Sequence, residues 1–406
     1  MRRDFGDCGG APTVHCRLME MLTDMRTSAV HGRAFVVMGF CVGAFAAYVP
    51  QLKSQAGLSD AEFGLALLIG AAGAVGAMWL APRVDRLLGH AAMTICALLL
   101  ATAFLLPGLA QSWAGFAAAM FLASGAGGLL DVVMNARLSG LEARSGRSLM
   151  NLNHGLFSLA YALAALVAGL VREAGVPPVW CFAGILLVSG LLALGMRDEV
   201  PPAPAEDPQG NASLPLPGAM IVIAGLIVLI AFTAEQATEH WSALHLERAF
   251  GANAAEGALG PAILGFTMGI GRLSGQELVR RVAEGRLMQI AAALAASGLI
   301  LAAFAPVQAL AYAGFAILGL GVSTVGPTAL AWVGKTIPSR LRAAAISRLV
   351  MIGYCGFFVG PPVIGFIAEV FGLRLALALM GAMLLCITVL LVPALRASAR
   401  KSELIA

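Results

Sequence analysis

Residues 87–130 read LLGHAAMTICALLLATAFLLPGLAQSWAGFAAAMFLASGAGGLL. No Asp, Glu, Lys or Arg interrupts them, and the first charge beyond is Asp131, with Asn135 one helical turn later. Crossing a bilayer core in a helix takes roughly 20 apolar residues, so a run about twice that long holds two spans. The hinge falls near Pro107 and Gln111, which leaves Asp131 inside the second span. A carboxyl at that depth is costly, and ionisable groups kept in membrane helices face water-filled cavities and mark an ion or substrate path.

The remainder of the chain has the same character. Of 406 residues 59% are hydrophobic and only 12% charged, against roughly 25% charged in soluble domains, and the mean hydropathy is +0.87. Aromatic residues make up 7% and period-two alternation is rare, which excludes the short alternating segments of a lipid-facing β-barrel. Helices remain as the way to satisfy the backbone in lipid, so the fold class is an all-α membrane protein. Apolar runs bounded by charges or Pro/Gly clusters predict about twelve spans. They lie near 33–52, 61–82, 91–110, 113–136, 150–171, 176–196, 218–240, 255–274, 287–305, 309–333, 343–367 and 373–394. An even number places both termini on one side. Of the 26 Lys and Arg residues only Lys53, Arg172, Arg248 and Arg374 fall on one set of loops; the rest, Arg83, Arg86, Arg137, Arg147, Arg272, Arg281 and Lys335 among them, fall on the other. Basic residues accumulate on the cytoplasmic side, so both termini are expected in the cytoplasm of a bacterial inner (cell) membrane. The net charge of +4 follows from topology, and no nucleic-acid partner is implied.

Residues 1–32 form an N-terminal cytoplasmic extension with charges of both signs and no apolar stretch, so they are not expected to be a cleaved signal peptide. Met19, Met21 and Met25 are alternative starts within it. Most of the 7 cysteines, Cys41, Cys96, Cys181, Cys355 and Cys386, fall in spans, and no disulfide framework is implied. Cys8, His15 and Cys16 are too few ligands for a metal site.

The stretch RDEVPPAPAEDPQGNASLPLP, residues 197–217, has the proline-rich and acidic composition of a flexible cytoplasmic linker. It separates an N-terminal bundle over 33–196 from a C-terminal bundle over 218–394, with a tail over 395–406. The halves echo each other. After the second span of each comes a basic turn, Arg83-Val84-Asp85-Arg86 in one and Arg280-Arg281 in the other. Parallel halves with a substrate site near the midplane between them are the plan of several transporter folds.

Over essentially all of residues 33–394 the chain resembles the major facilitator superfamily. Its signature loop between helices 2 and 3, Gly-x3-Asp-Arg followed by Gly and basic residues, stands here as Ala81-Pro82-Arg83-Val84-Asp85-Arg86-Leu87-Leu88-Gly89-His90, with Ala81 in place of the glycine and one residue added. In the second half Arg280 occupies the equivalent Asp position. The resemblance implies twelve transmembrane helices in two pseudo-symmetric six-helix bundles, alternating access, and a gating role for Asp85 and Arg86. A narrower likeness, to the fucose-permease-like branch, rests on three segments. They are Gly127-Gly128-x2-Asp131-x3-Asn135-x6-Glu142 with Asn153-His154-Gly155-x-Phe157-Ser158, then Glu235-x5-Trp241-Ser242-Ala243-Leu244, then Gly353-Tyr354-x-Gly356-x3-Gly360-Pro361-Pro362-x2-Gly365. In fucose permease a carboxylate at the matching place in helix 4 takes part in proton coupling, and the resemblance carries that role onto Asp131. Fucose permease also uses an acidic residue in helix 1, and residues 34–52 here contain none.

On a helix Asp131, Asn135 and Glu142 fall at i, i+4 and i+11 and share one stripe. Burial disfavours the charged form of a carboxyl, which suits Asp131 to exchanging a proton as a cavity opens to either side. Glu142, beside Arg144 and Arg147, reads as a structural ion pair. In the fifth span His154, Phe157, Ser158 and Tyr161 recur at i, i+3, i+4 and i+7, so one face offers an imidazole, a hydroxyl and two rings. Rings can cover an apolar face of a solute while polar groups orient it. His154 also titrates near neutral pH and is a second proton candidate; the alternative is a hydrogen bond to Asn153 or a loop. In the seventh span Glu235, Thr238, Ser242 and His245 form a stripe, with Gln236, Glu239, His240 and Trp241 around its outer end. Glu235 is a third candidate for proton coupling, and Asn135, Gln236 and Trp241 join the substrate-binding set; a Trp there also suits a membrane interface. Gly360 and Pro361 should loosen the eleventh helix, because proline removes a ladder donor and clashes with the preceding turn.

No phosphate-binding glycine loop, metal-ligand cluster or nucleotide-sized soluble domain occurs, so neither an enzyme nor a cofactor is expected. The expected function is secondary active transport of a small polar organic solute, a sugar being one candidate, by alternating access with proton-coupled uptake. Protons and the lipid bilayer are the other expected partners, and the protein is expected to act as a monomer. A proton-coupled exporter of a metabolite or drug is the alternative, and a transport-inactive sensor or scaffold the second alternative.

Overall fold

The computed structural model describes residues 14–197 and 218–405, and every regular element among them is helical. In chain order the helices are α1 Val14–Thr27, α2 Ala29–Gln55, α3 Asp60–Leu88, α4 Ala92–Ala103, α5 Leu105–Leu109, α6 Trp113–Ser145, α7 Met150–Glu173 and α8 Pro178–Ala193. The second half holds α9 Gly218–Phe250, α10 Ala254–Arg281, α11 Glu284–Phe304, α12 Gln308–Thr336, α13 Ser339–Phe371, α14 Leu373–Cys386 and α15 Val392–Ile405. Each expected span falls on this helical framework. Among the described residues nine stretches are long and apolar enough to cross a membrane, and one of them, Asp60–Leu109, contains two expected spans. The expected linker beyond Arg197, Cys8 and the rest of residues 1–13 lie outside the described residues.

Local chemistry sets the helix ends. The uncharged run bends where anticipated: α5 stops at Leu109, and Ser112 Oγ accepts the Gly115 N–H at 3.3 Å to start α6. Ser59 and Glu62 form a capping box on α3, the Ser59 hydroxyl accepting from Glu62 N at 3.2 Å and the Glu62 carboxylate accepting from Ser59 N at 2.9 Å. Gly146, at φ 67°, ends α6 in the left-handed conformation that glycine adopts without a Cβ penalty. Glu142 does not make the ion pair expected of it. Its carboxylate accepts the N–H groups of Leu149 at 2.5 Å and Met150 at 2.7 Å and so caps α7, because free N–H groups at a helix start attract an anion. Arg147 pairs instead with Asp24 of α1.

Two helices depart from or keep regularity against their local sequence. α13 continues through Gly360, Pro361 and Pro362 without a break, held from both sides: a Cβ on Gly64 of α3 would come within 2.6 Å of the Pro361 carbonyl, and Thr233 of α9 presses on Gly360. The last span, by contrast, carries a π-helical turn at Ile387–Leu391 between α14 and α15.

Helices pack in lipid through close backbone approach, since lipid supplies no hydrophobic drive between them. α3 packs on α6 and α2 on α7 in the first half, α11 on α12 and α9 on α13 in the second, and the halves meet along α7–α10 and α3–α13. The α2–α7 contact depends on glycine. A Cβ on Gly39 would come within 2.6 Å of the Phe157 carbonyl, and one on Gly43 would overlap the carbonyl of Tyr161. The sequence pair Gly39/Gly43 thereby sets the depth at which α7 presents its polar face.

Candidate functional site: a cavity between the two halves

A cavity of about 370 Å³ lies between the halves, walled by α2, α3, α6 and α7 on one side and by α9, α10 and α13 on the other. On the second-half wall Arg272 organises the polar groups. Its Nη2 pairs with Glu235 Oε1 at 3.0 Å, and its Nη1 donates to Ser158 Oγ of α7 at 2.5 Å. One guanidinium therefore ties α10 to α9 and across to the first half. Gln236 Nε2 donates to Glu239 Oε2 at 2.8 Å, and the His240 ring stands edge-on to Phe45 at 5.9 Å. On the facing wall Asp131 Oδ1 accepts from Asn135 Nδ2 at 2.9 Å, and Asp131 has no cationic partner among the described residues. His154 stands edge-on to Phe35 at 5.0 Å, and Phe232, Tyr354 and Phe357 form an aromatic wall, Phe232 stacking on Tyr354 at 6.0 Å.

Asp131, His154, Phe157, Glu235, Gln236 and Pro361 line this cavity, as their stripes anticipate. Other candidates lie elsewhere. The Asn135 amide is taken up by its own helix, donating to the Asp131 backbone carbonyl as well as its carboxylate. Ser158 is buried behind the lining and reaches the site through Arg272. Tyr161 packs behind Phe157 at 6.2 Å, and its buried hydroxyl has no hydrogen-bond partner among the described residues. Trp241 is outside the lining: it is fully buried edge-on to Phe63 at 5.2 Å, since two positions past Glu239 a helix has turned by about 200°. Gly360 is packed on Thr233.

The two residues expected at the gate make contacts within the first half. Asp85 pairs with Arg137 of α6 at 2.7 Å, both buried, while Arg86 is exposed and donates to the Pro82 carbonyl at 3.2 Å. Among the described residues a group of ion pairs and hydrogen bonds joins the halves at the opposite end. There Arg248 grips Asp60 with two bonds of 2.7 and 2.9 Å, Arg172 pairs with Glu247 at 2.6 Å, and Glu369 accepts the Asp60 N–H at 2.7 Å. Lys53 completes the cluster on Asp60 at 2.8 Å. Phe63–Trp241 and Phe45–His240 lie beneath these ion pairs and also cross between the halves. The cavity is thus sealed at this end. Lys53, Arg172 and Arg248, assigned by sequence to one set of loops, do gather at this end.

Sequence reading missed Arg272 as a site residue, placing it in a cytoplasmic loop, and set Glu239 at the outer end of its span. A cation inside GIGRLSG, on an otherwise apolar stretch, and the i, i+4 repeat from Glu235 to Glu239 are the signals that locate them.

A family model described as Major Facilitator Superfamily matches residues 34–308 and 221–405. The chain belongs to the major facilitator superfamily. This transporter is 30% identical over 346 residues to the membrane protein MosC of Rhizobium meliloti, covering 84% of each chain. It is 28% identical over 357 residues to an MFS-type transporter of Yersinia pestis, covering 87% of this chain and 92% of that one. Among solved structures the transporter superposes on a D-xylose–proton symporter with a TM-score of 0.71 at 14% identity, covering 92% of this chain and 99% of the other. On the nucleoside transporter NupG the TM-score is 0.67 at 16% identity, with 92% and 98% covered. Likeness at that identity establishes the fold. A membrane transporter, and not an enzyme, is what the family membership gives.

Proposed function

We propose that this transporter takes up a small polar organic solute, sugar-like in size, across the inner membrane by alternating access, with Asp131 carrying the coupling proton. The observation that carries the reading is the arrangement of the cavity. It lies between the halves, is sealed at one end by cross-half ion pairs, and holds a half-buried carboxyl on one wall facing an Arg–Glu pair on the other. A carboxyl without a cation exchanges protons with whichever side the cavity opens to. His154 and Glu235 are the further proton-handling candidates, Phe157 and Gln236 contact solute, and Ser158 and Tyr161 support them from behind. With both termini in the cytoplasm, as the basic residues indicate, the sealed end faces outward. The three segments that resemble the fucose-permease-like branch support a place beside it.

Reconstituted vesicles test this directly. Asp131→Asn keeps volume and the bond to Asn135 but cannot exchange a proton. Solute exchange should persist in this variant, while accumulation driven by a pH gradient is lost. Accumulation at the original level would remove Asp131 from coupling and transfer the role to Glu235.

A further inference from the structure

We infer that the transported solute carries an amine, held as its ammonium by Glu239, so that the cavity takes an amino sugar or amino polyol in preference to a neutral sugar or an acid. This rests on reading the cavity as the transport site. The lining holds three carboxyl groups, Asp131, Glu235 and Glu239, against one guanidinium, Arg272. Arg272 is already engaged at both ends, by Glu235 and by Ser158, so its fork is not open to a solute carboxylate. An acid would bring a further carboxyl group to a cavity whose single guanidinium is already occupied.

Glu239 is the group left over. It is 5% exposed; among the described residues its hydrogen-bond partner is the neutral amide of Gln236, and the nearby Arg272 guanidinium is taken by Glu235 and Ser158. A buried carboxylate calls for a cation or a proton. Among the described residues no Lys or Arg forms an ion pair with Glu239, whose carboxylate belongs to the cavity lining. Phe157, packed on Tyr161, lines the cavity and presents a ring on which an ammonium can rest. An inorganic cation fits less well, because no cluster of three or more His, Cys, Asp or Glu ligands occurs among the described residues. The ammonium can satisfy Glu239 and rest on Phe157 while hydroxyl groups of the same solute meet Gln236 and the far wall.

The experiment is counterflow in proteoliposomes with three matched classes of probe: D-glucosamine and D-galactosamine, D-glucose and D-galactose, and D-gluconate and D-galactonate. The amines should be carried and the neutral and acidic counterparts not. Glu239→Gln should lower amine uptake by about tenfold or more, the loss expected for a hydrogen bond to a charged group. Thermal midpoints without solute report whether the variant folds; if it does not, the three-class comparison decides. Carriage of neutral or acidic probes at least as fast as the amines, or full amine uptake by a folded Glu239→Gln protein, overturns the amine assignment and leaves transport standing. Carriage of no probe at all overturns both.

Discussion

Arg272 holds the site together through two bonds to two other helices, and its removal tests that role. Arg272→Ala leaves Glu235 without its cation in a pair whose side chains are each 15% exposed. Breaking one partner of a largely buried pair costs about 3–5 kcal/mol. A fall of several degrees in the detergent-solubilised thermal midpoint is expected, and an unchanged midpoint would show that water already serves Glu235. The double variant Glu235→Gln/Arg272→Gln should recover part of the loss, because no charge is left unpaired there. Lysine is a poor substitute: a single ammonium cannot reproduce the fork that reaches Ser158 and Glu235 from two nitrogens. Arg272 illustrates why such roles resist a linear reading. Its position near a helix end suits a cytoplasmic loop equally well, and only the placement of Glu235 and Ser158 beside it turns a topology marker into a site residue.

α7 shows how two local devices fix one element. Its start is capped by Glu142 and its depth is set by Gly39 and Gly43 of α2. Glu142→Ala should cost about 1 kcal/mol, the usual worth of a helix cap, read as a modest fall in thermal midpoint with solute binding retained. Gly43→Val should do more. Its side chain would have to displace the Tyr161 backbone, and overpacking of this kind costs typically 1–3 kcal/mol. The same variant should weaken solute binding, because Phe157 moves with α7; a stable Gly43→Val protein with unaltered binding would mean that α7 is positioned by α10 instead. The polar face of α7 was legible from its i, i+3, i+4 spacing. Which members face the cavity was not, because Ser158 and Tyr161 sit on the flank that α10 covers.

At the scale of the whole molecule, the sealed end sets which contacts must break for the cavity to open there. The cross-half pairs differ in worth. Arg248 is 46% exposed and its bond to Asp60 is screened by water, so it is worth about 0–1 kcal/mol. Arg172 is 9% exposed, pairs with Glu247 and also donates to the Ala47 carbonyl. Arg172→Ala should therefore raise the labelling of a cysteine placed at Leu67, inside the cavity, by reagents applied from the outer side more than Arg248→Ala does. Equal effects would mean that the apolar layer of Phe63 and Trp241 holds the seal. Topology is tested in the same cells: a cysteine at Ala174 should react with an impermeant reagent, and one at Ser145 should not. The reverse pattern would invert the molecule in the membrane.

Hydropathy and charge alone determined the class of protein, the helical spans, the hinge in 87–130, and the choice of Asp131, His154, Glu235 and Gln236 as polar groups in need of shelter. These follow from the sequence because the bilayer penalises an unpaired polar group wherever the helix places it. Tertiary structure decided the pairings. It paired Asp85 with Arg137, took Asn135 out of the cavity and Trp241 into the core, brought Arg272 in, and gave Glu239 the neutral amide of Gln236 as its hydrogen-bond partner. Those outcomes depend on how each helix is rotated and which neighbour covers each flank. That is set by glycine-mediated contacts such as Gly43 on Tyr161 and Gly64 on Pro361, between residues far apart in the chain.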